Sequence, residues 1–179
     1  MTKVYTTKTD LSHQKCSKRF IYKFSSVENL FISKLKKRKK KKFLFFPEES
    51  LEFTYEEFYI EYNKISQILL KKKIKKKDKI SIIFYNDSQF ILTYFAALSL
   101  GAIVVPINPD LSYDEIDFIV KNSFSKICIY SKKIDFKIKK NQKYVCYENF
   151  FNQKNIKFLK SSKKKNDKPR ISDEAVIIY

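Results

Sequence analysis

From Ser25 the chain reads SSVENLFISKLKKR, with apolar side chains at Val27, Leu30, Phe31 and Leu35. That spacing predicts an amphipathic helix, and Ser25, three residues before Glu28, supplies a capping pair for its first turn. Two short apolar runs follow, Phe43 to Phe46 and Leu51 to Phe53, on either side of Pro47-Glu48-Glu49-Ser50. They predict a hairpin over 43–53, two strands around a turn. Thr54 and Glu57 then make a Thr-x-x-Glu capping box, and Phe58, Tyr62, Ile65, Ile68 and Leu69 repeat at helical spacing behind it.

Lys79 to Tyr85 (KISIIFY) is a β-branched and aromatic run short enough for a buried strand. Asn86-Asp87-Ser88 directly after it offers capping side chains for a helix starting near Gln89. The stretch from Phe90 to Pro109 carries no charge and has about the length of a membrane span. Gly101 and Pro106 divide it into a helical half (FILTYFAALSL) and a β-branched half (AIVVPIN), which predicts a buried helix, a left-handed stop at Gly101 and a strand over Ile103 to Ile107. No transmembrane segment is expected.

Beyond the turn Asn108-Pro109-Asp110, Ser112 and Glu115 repeat the capping box for a helix over Tyr113 to Asn122. Lys126 to Tyr130 and Tyr144 to Tyr147 read as two more strands. Residues 161–170 read as a Lys-rich loop, and Glu174 to Tyr179 (EAVIIY) as the start of a further apolar strand at which the chain ends. Strands alternating with helices at this spacing predict an α/β fold of βαβ units with a mainly parallel sheet. No internal repeat is evident.

With 179 residues, 44% of them hydrophobic and 16% aromatic, the chain can bury enough surface to offset its ordering entropy. Residues 1–19 are polar, read as a poorly ordered tail, and hold no secretory leader. Lys, Ile, Phe, Tyr and Asn abound beside a single Gly, the mark of a bias toward AT-rich codons. The formal charge of +19 is read against that bias. The basic runs Lys36 to Lys42 and Lys71 to Lys77 are accordingly expected to be solvated surface near helix C-termini. A nucleic-acid or anionic-membrane patch is the alternative reading. Cys16, Cys128 and Cys146 are an odd number without metal-ligand spacing, which fits a reduced, cytoplasmic compartment; the last two read as core residues.

Candidate chemistry is sparse. A loop that cradles phosphate needs several glycines so that backbone N–H groups can approach the anion, and only Gly101 is present. A dinucleotide-binding turn or a P-loop therefore cannot be placed. His13 and Cys16 are a weak metal pair, and His13 would have to be the base of any Ser–His–Asp set from within a polar tail. The carboxylate pairs Glu56/Glu57 and Asp114/Glu115 open helices, where the macrodipole accounts for them.

Five segments follow one another in a fixed order: Phe53-Thr54-Tyr55-x-Glu57; Asp78-Lys79-Ile80-Ser81-Ile82 with Asn86-x-Ser88-x-Phe90; Ala96-Ala97-Leu98-x-x-Gly101-Ala102-x-x-Val105-Pro106-Ile107-Asn108-Pro109; Leu111-Ser112-x-x-Glu115; and Asp173-x-Ala175-x-Ile177-Ile178-Tyr179. In that order they resemble the adenylate-forming (AMP-binding) superfamily, the acyl-CoA synthetase or acid–CoA ligase type above all. The resemblance is best over residues 54–131, looser over the hairpin, and absent from the tail. It implies that residues 20–179 form the N-terminal part of the large domain, truncated where a Ser/Thr/Gly-rich phosphate loop would begin.

The resemblance implies a parent that joins a carboxylic acid, probed first as a fatty acid, to CoA using ATP and magnesium, through an acyl-adenylate. It places no catalytic, cofactor-binding or metal residue within this chain, so the fragment is expected to bind no cofactor and to be inactive alone. Two alternatives stay open: a fragment of an amino-acid-adenylating or carrier-protein ligase domain, and a non-catalytic basic module. No nucleic-acid partner is expected; peripheral membrane contact is compatible with the basic runs.

Overall fold

Phe31 and Leu35 fall on one face of the first helix, α1 (Val27–Arg38), and are its buried residues. This is a computed structural model, and it describes residues 24–134, 143–151, 168–170 and 172–179. The tail with His13 and Cys16, and residues 161–167 of the Lys-rich loop, lie outside the described residues. The cap of α1 is Ser26 and not Ser25: its Oγ accepts the Asn29 N–H at 3.0 Å. The helix starts one residue later than the Ser-x-x-Glu pattern predicts, which puts Glu28 in the first turn beside the dipole.

Strands β1 (Lys42–Phe46) and β2 (Leu51–Thr54) pair antiparallel around a 3₁₀ turn, Pro47–Glu49. Ser50, left-handed at φ 49°, closes that turn. Helix α2 (Tyr55–Lys71) then begins on the predicted capping box: Thr54 Oγ1 accepts the Glu57 N–H, and Glu57 Oε2 accepts the Thr54 N–H at 2.9 Å. Phe58, Tyr62, Ile65 and Leu69 on its inner face are all at most 4% exposed. They gather Phe31, Phe43 and Phe95 into an aromatic cluster with ring centroids 5.1–6.0 Å apart in most pairs.

The remaining elements are β3 (Lys79–Ile83), α3 (Ser88–Ser99), β4 (Ile103–Ile107), α4 (Tyr113–Asn122), β5 (Ile127–Tyr130), β6 (Tyr144–Cys146) and the short α5 (Tyr147–Phe151). Strands β3 to β6 form one all-parallel sheet in the order β4-β3-β5-β6, with Ile80 opposite Val104 on one side and Ile127 on the other. The uncharged stretch divides into α3 and β4, as Gly101 and Pro106 predict. Among the described residues no helix is long and apolar enough to cross a membrane.

Side-chain alternation along β3 assigns the layers. Ile80 and Ile82 face α1, α2 and α3 in one core, while Ile83 joins Val105, Cys128 and the α4 residues Ile116, Ile119 and Val120 in a second. Ser81 also lies on the α4 side and donates to Ser125 Oγ at 2.7 Å, which in turn meets Ser123 Oγ at 2.8 Å. This buried hydroxyl chain ties the centre of the sheet to the end of α4. Helices thus cover both faces, and the order of connection reverses between β3 and β5.

Two expectations change. Tyr147 opens α5 instead of ending a strand, because Glu148 turns back to accept the Lys132 N–H. Glu174 to Tyr179 makes one parallel bridge, Val176 to Val104, and no longer strand. Two hydrogen bonds of 2.9 Å hold it to the β4 edge, while Ile178 stays 78% and Tyr179 52% exposed.

Candidate functional site

In an open parallel sheet the crevice at the carboxyl ends of the strands, beside the point where the order reverses, is where ligands bind. Here that place lies between β3 and β5. The loops that leave these strands bring together Asp87 and Ser88 after β3, Ser131 and Lys133 after β5, and Glu148 after β6. Glu49, from the hairpin turn, joins them across 84 residues of sequence from Lys133.

Lys133 Nζ stands 3.3 Å from Glu49 Oε1 and 3.5 Å from Asp87 Oδ2. Glu49 also accepts the Ser88 N–H at 3.1 Å. Asp87 caps α3 by accepting the Phe90 N–H at 3.0 Å. Glu148 accepts from Lys132 N–H at 2.9 Å, Gln89 Nε2 at 3.2 Å and Cys146 Sγ at 3.3 Å.

Protonation follows from these contacts. Burial raises the Asp87 carboxyl, and the Phe90 N–H and Lys133 only partly offset it. At Glu49 burial is outweighed by the hydrogen bonds from Ser88 and by Lys133, so its carboxyl lies below the ordinary value. Glu148 is lowered in the same way, its backbone and Gln89 bonds overcoming burial. Burial opposes the charge of Lys133, but Glu49 and Asp87 win and hold its ammonium protonated. The group is a closed ionic clamp that pins the hairpin turn and two strand-end loops.

The clamp lacks an activated nucleophile. Burial pushes both the Cys146 and Cys128 thiols up, so neither is a thiolate at neutral pH. The helix N-termini at this edge carry side-chain caps of their own. Asp87 and Glu49 accept the Phe90 and Ser88 N–H groups of α3, Ser112 accepts the Glu115 N–H of α4 and Thr54 the Glu57 N–H of α2, while Glu115 and Glu57 accept the N–H of the cap residues themselves. At α3 a phosphate seeking those donors would have to displace a carboxylate of the chain itself. Among the described residues no three His, Cys, Asp or Glu side chains gather as metal ligands.

Of the candidates legible in the sequence, Glu57, Glu115 and Asp87 appear in their places as caps. Cys128 is fully buried, and Cys146 is half-buried against Glu148. Glu49, Lys133 and Glu148 were not singled out. Their positions 49, 133 and 148 share no local pattern, and only the sheet topology brings them to one edge.

Residues 31–179 match the model of the AMP-binding enzyme family. The chain belongs to that family. Among curated relatives, the long-chain-fatty-acid–CoA ligase FadD13 of Mycobacterium tuberculosis is 32% identical over 84 residues, 47% of this chain and 17% of the relative. The 4-hydroxybutyrate–CoA ligase 2 of Metallosphaera sedula is 31% identical over 77 residues, 43% of this chain and 14% of the relative. The matched segments therefore span less than a fifth of the length of these two relatives. Among solved structures, a Mycobacterium tuberculosis fatty acyl CoA synthetase superposes with a TM-score of 0.57 at 25% identity, covering 60% of this chain and 21% of that one.

Proposed function

We propose that this AMP-binding enzyme segment is the opening part of the large domain of an AMP-forming acid–CoA ligase, with a fatty acid as the acid. In that reading the whole enzyme lets a carboxylate attack the α-phosphate of ATP, releasing pyrophosphate, and then lets the CoA thiol displace AMP. This segment supplies the first parallel strands and the rim of the crevice, and the ATP-handling groups belong to later sequence. The family match over residues 31–179 carries the reading.

The fatty-acid assignment leans on the FadD13 similarity, and the 4-hydroxybutyrate ligase is matched almost as well. Reading the transcript beyond codon 179 tests the ligase assignment. A Ser/Thr/Gly-rich run ending in Lys within the next ten or so codons is expected, and an unrelated coding sequence would overturn it. A panel of acids in pyrophosphate exchange by the enzyme so encoded tests the substrate. A preference for short hydroxy acids over fatty acids would overturn that part alone.

A further inference from the structure

Helices α2, α3 and α4 all run back to the amino edge of the sheet, and all three end in the same backbone motif. The residue after the cap is left-handed and donates to the carbonyl three residues earlier. The next N–H reaches five residues back: Ile74 to Leu69, Ala102 to Ala97, and Ser125 to Val120, at 3.0–3.1 Å. This motif prefers glycine at the left-handed position. Helix α3 has Gly101 there at φ 70°, but α2 has Lys73 at 60° and α4 has Phe124 at 56°. A phenylalanine in this conformation is strained, and its ring gains no packing in return, being 81% exposed.

Around that ring the edge is basic. Lys79 Nζ lies 5.7 Å from the Phe124 centroid. Three lysines nearby are neutralised by aspartates: Lys76 by Asp173 at 2.7 Å, Lys126 by Asp78 at 2.7 Å, and Lys121 by Asp117 at 2.5 Å. Lys73, Lys75 and Lys77 are exposed and form no ion pair among the described residues. Leu70, on the last turn of α2, adds a 39% exposed apolar side chain to the same edge.

We propose that the amino edge docks on an anionic phospholipid surface, with Phe124 entering the headgroup boundary and Lys73, Lys75 and Lys77 contacting acidic headgroups. An apolar ring on a turn within a rim of unpaired cations is the combination that interfacial binding needs. Single-stranded nucleic acid would also meet cations and a ring, but it is held by several rings in succession. Beside Phe124 the half-exposed Tyr179 is tied through its hydroxyl to Asn122 Nδ2 at 2.9 Å, which leaves Phe124 as the ring projecting freely from this turn. The inference rests on this surface and not on the ligase reading.

The test is co-sedimentation of the chain with vesicles of phosphatidylcholine alone and of phosphatidylcholine with phosphatidylserine, at low and physiological salt. Binding is expected only to the mixed vesicles. Phe124→Gly should weaken it about tenfold while leaving the protein at least as stable, because glycine suits that backbone. The triple variant Lys73→Gln, Lys75→Gln, Lys77→Gln should weaken it about a hundredfold, at about fivefold per lysine. Lys36→Gln, Lys37→Gln, Lys40→Gln removes equal charge from the other end of α2, roughly 25 Å away and beyond the screening length, and should change it little.

Equal loss from both triple variants would reduce the effect to net charge and overturn the site. Unchanged binding by Phe124→Gly would overturn insertion. Equal binding to neutral vesicles, or tighter binding to a single-stranded oligonucleotide than to the mixed vesicles, would overturn the lipid assignment.

Discussion

At the carboxyl edge of the sheet side chains cap the helix starts, and at the amino edge the turning backbone closes the helix ends with only minor help from side chains such as Ser99 and Ser123. Asp87, Glu49, Ser112 and Thr54 accept first-turn N–H groups of α3, α4 and α2, and Glu115 and Glu57 accept the N–H of the caps of α4 and α2. At the opposite edge the last carbonyls of the same helices are met by N–H groups of the turning chain. Where side chains do the capping, residue identity is constrained and charges end up paired. Where the backbone does it, only the left-handed angle is constrained, and the side chains at those positions, Lys73 and Phe124, are left facing water. The same helices therefore present one edge whose charges are paired and another at which, beside the paired Lys76, Lys121 and Lys126, Lys73, Lys75 and Lys77 form no ion pair among the described residues and Phe124 is 81% exposed.

The largest test of that contrast removes one lysine from each edge. Lys133→Met takes away the cation between Glu49 and a buried Asp87, and should cost about 1–2 kcal/mol. Losing one partner of a fully buried pair costs more, but Lys133 itself is half exposed and solvent screens the pair. Lys73→Met, at the amino edge, should stay within about 0.5 kcal/mol of the parent. Denaturant midpoints at constant slope check both. Adding Asp87→Asn to Lys133→Met should recover part of the loss, since asparagine still caps α3 without the stranded charge. Equal costs for the two lysine variants would break the contrast.

Next in size are the left-handed positions. Gly101→Ala should cost about 1 kcal/mol, because alanine at positive φ is strained and its Cβ would sit 3.0 Å from Lys76 Cγ. Phe124→Gly should go the other way, gaining up to about 1 kcal/mol from relief of the same strain. Thermal or denaturant unfolding measures both. A loss of stability in Phe124→Gly would mean that the ring packs against the fold after all.

The carboxyl-edge caps were legible because a capping box is local: Thr54 with Glu57 and Ser112 with Glu115 lie three residues apart, and the helix that follows each is strongly periodic. Gly101 was legible because one glycine between a helical and a β-branched run has few other uses. Ser26 was displaced by one from the predicted Ser25, since two adjacent serines satisfy the pattern and only backbone geometry chooses between them. Helix α5 was hidden because Tyr144 to Tyr147 continues a strand-like run, and the turn back is made by Glu148 bonding a distant loop. The Glu49–Lys133–Asp87 clamp could not be read at all, its members being drawn from a hairpin and two strand ends. Phe124 carries no sequence signal of strain, because nothing local marks a helix that stops without glycine.

The smallest predicted effect is on acid stability, and it separates the two kinds of cap carboxylate. Glu57 and Glu115 are exposed, and hydrogen bonds from Thr54 and Ser112 hold them below the usual value of 4.5. Such an acid gives up its proton on folding, so the stability it adds is present above that value and is lost as pH falls through the folded one. Asp87 has the opposite sign. Burial raises it, so it takes up a proton on folding and favours the folded chain more as pH falls through the carboxylate range. Glu57→Gln and Glu115→Gln, which keep the box but not the charge, should flatten the loss of stability in acid, whereas Asp87→Asn should steepen it. Denaturant midpoints followed from neutral pH to about 3 would show it, and a common slope for all three variants would mean that burial does not distinguish Asp87 from the exposed caps.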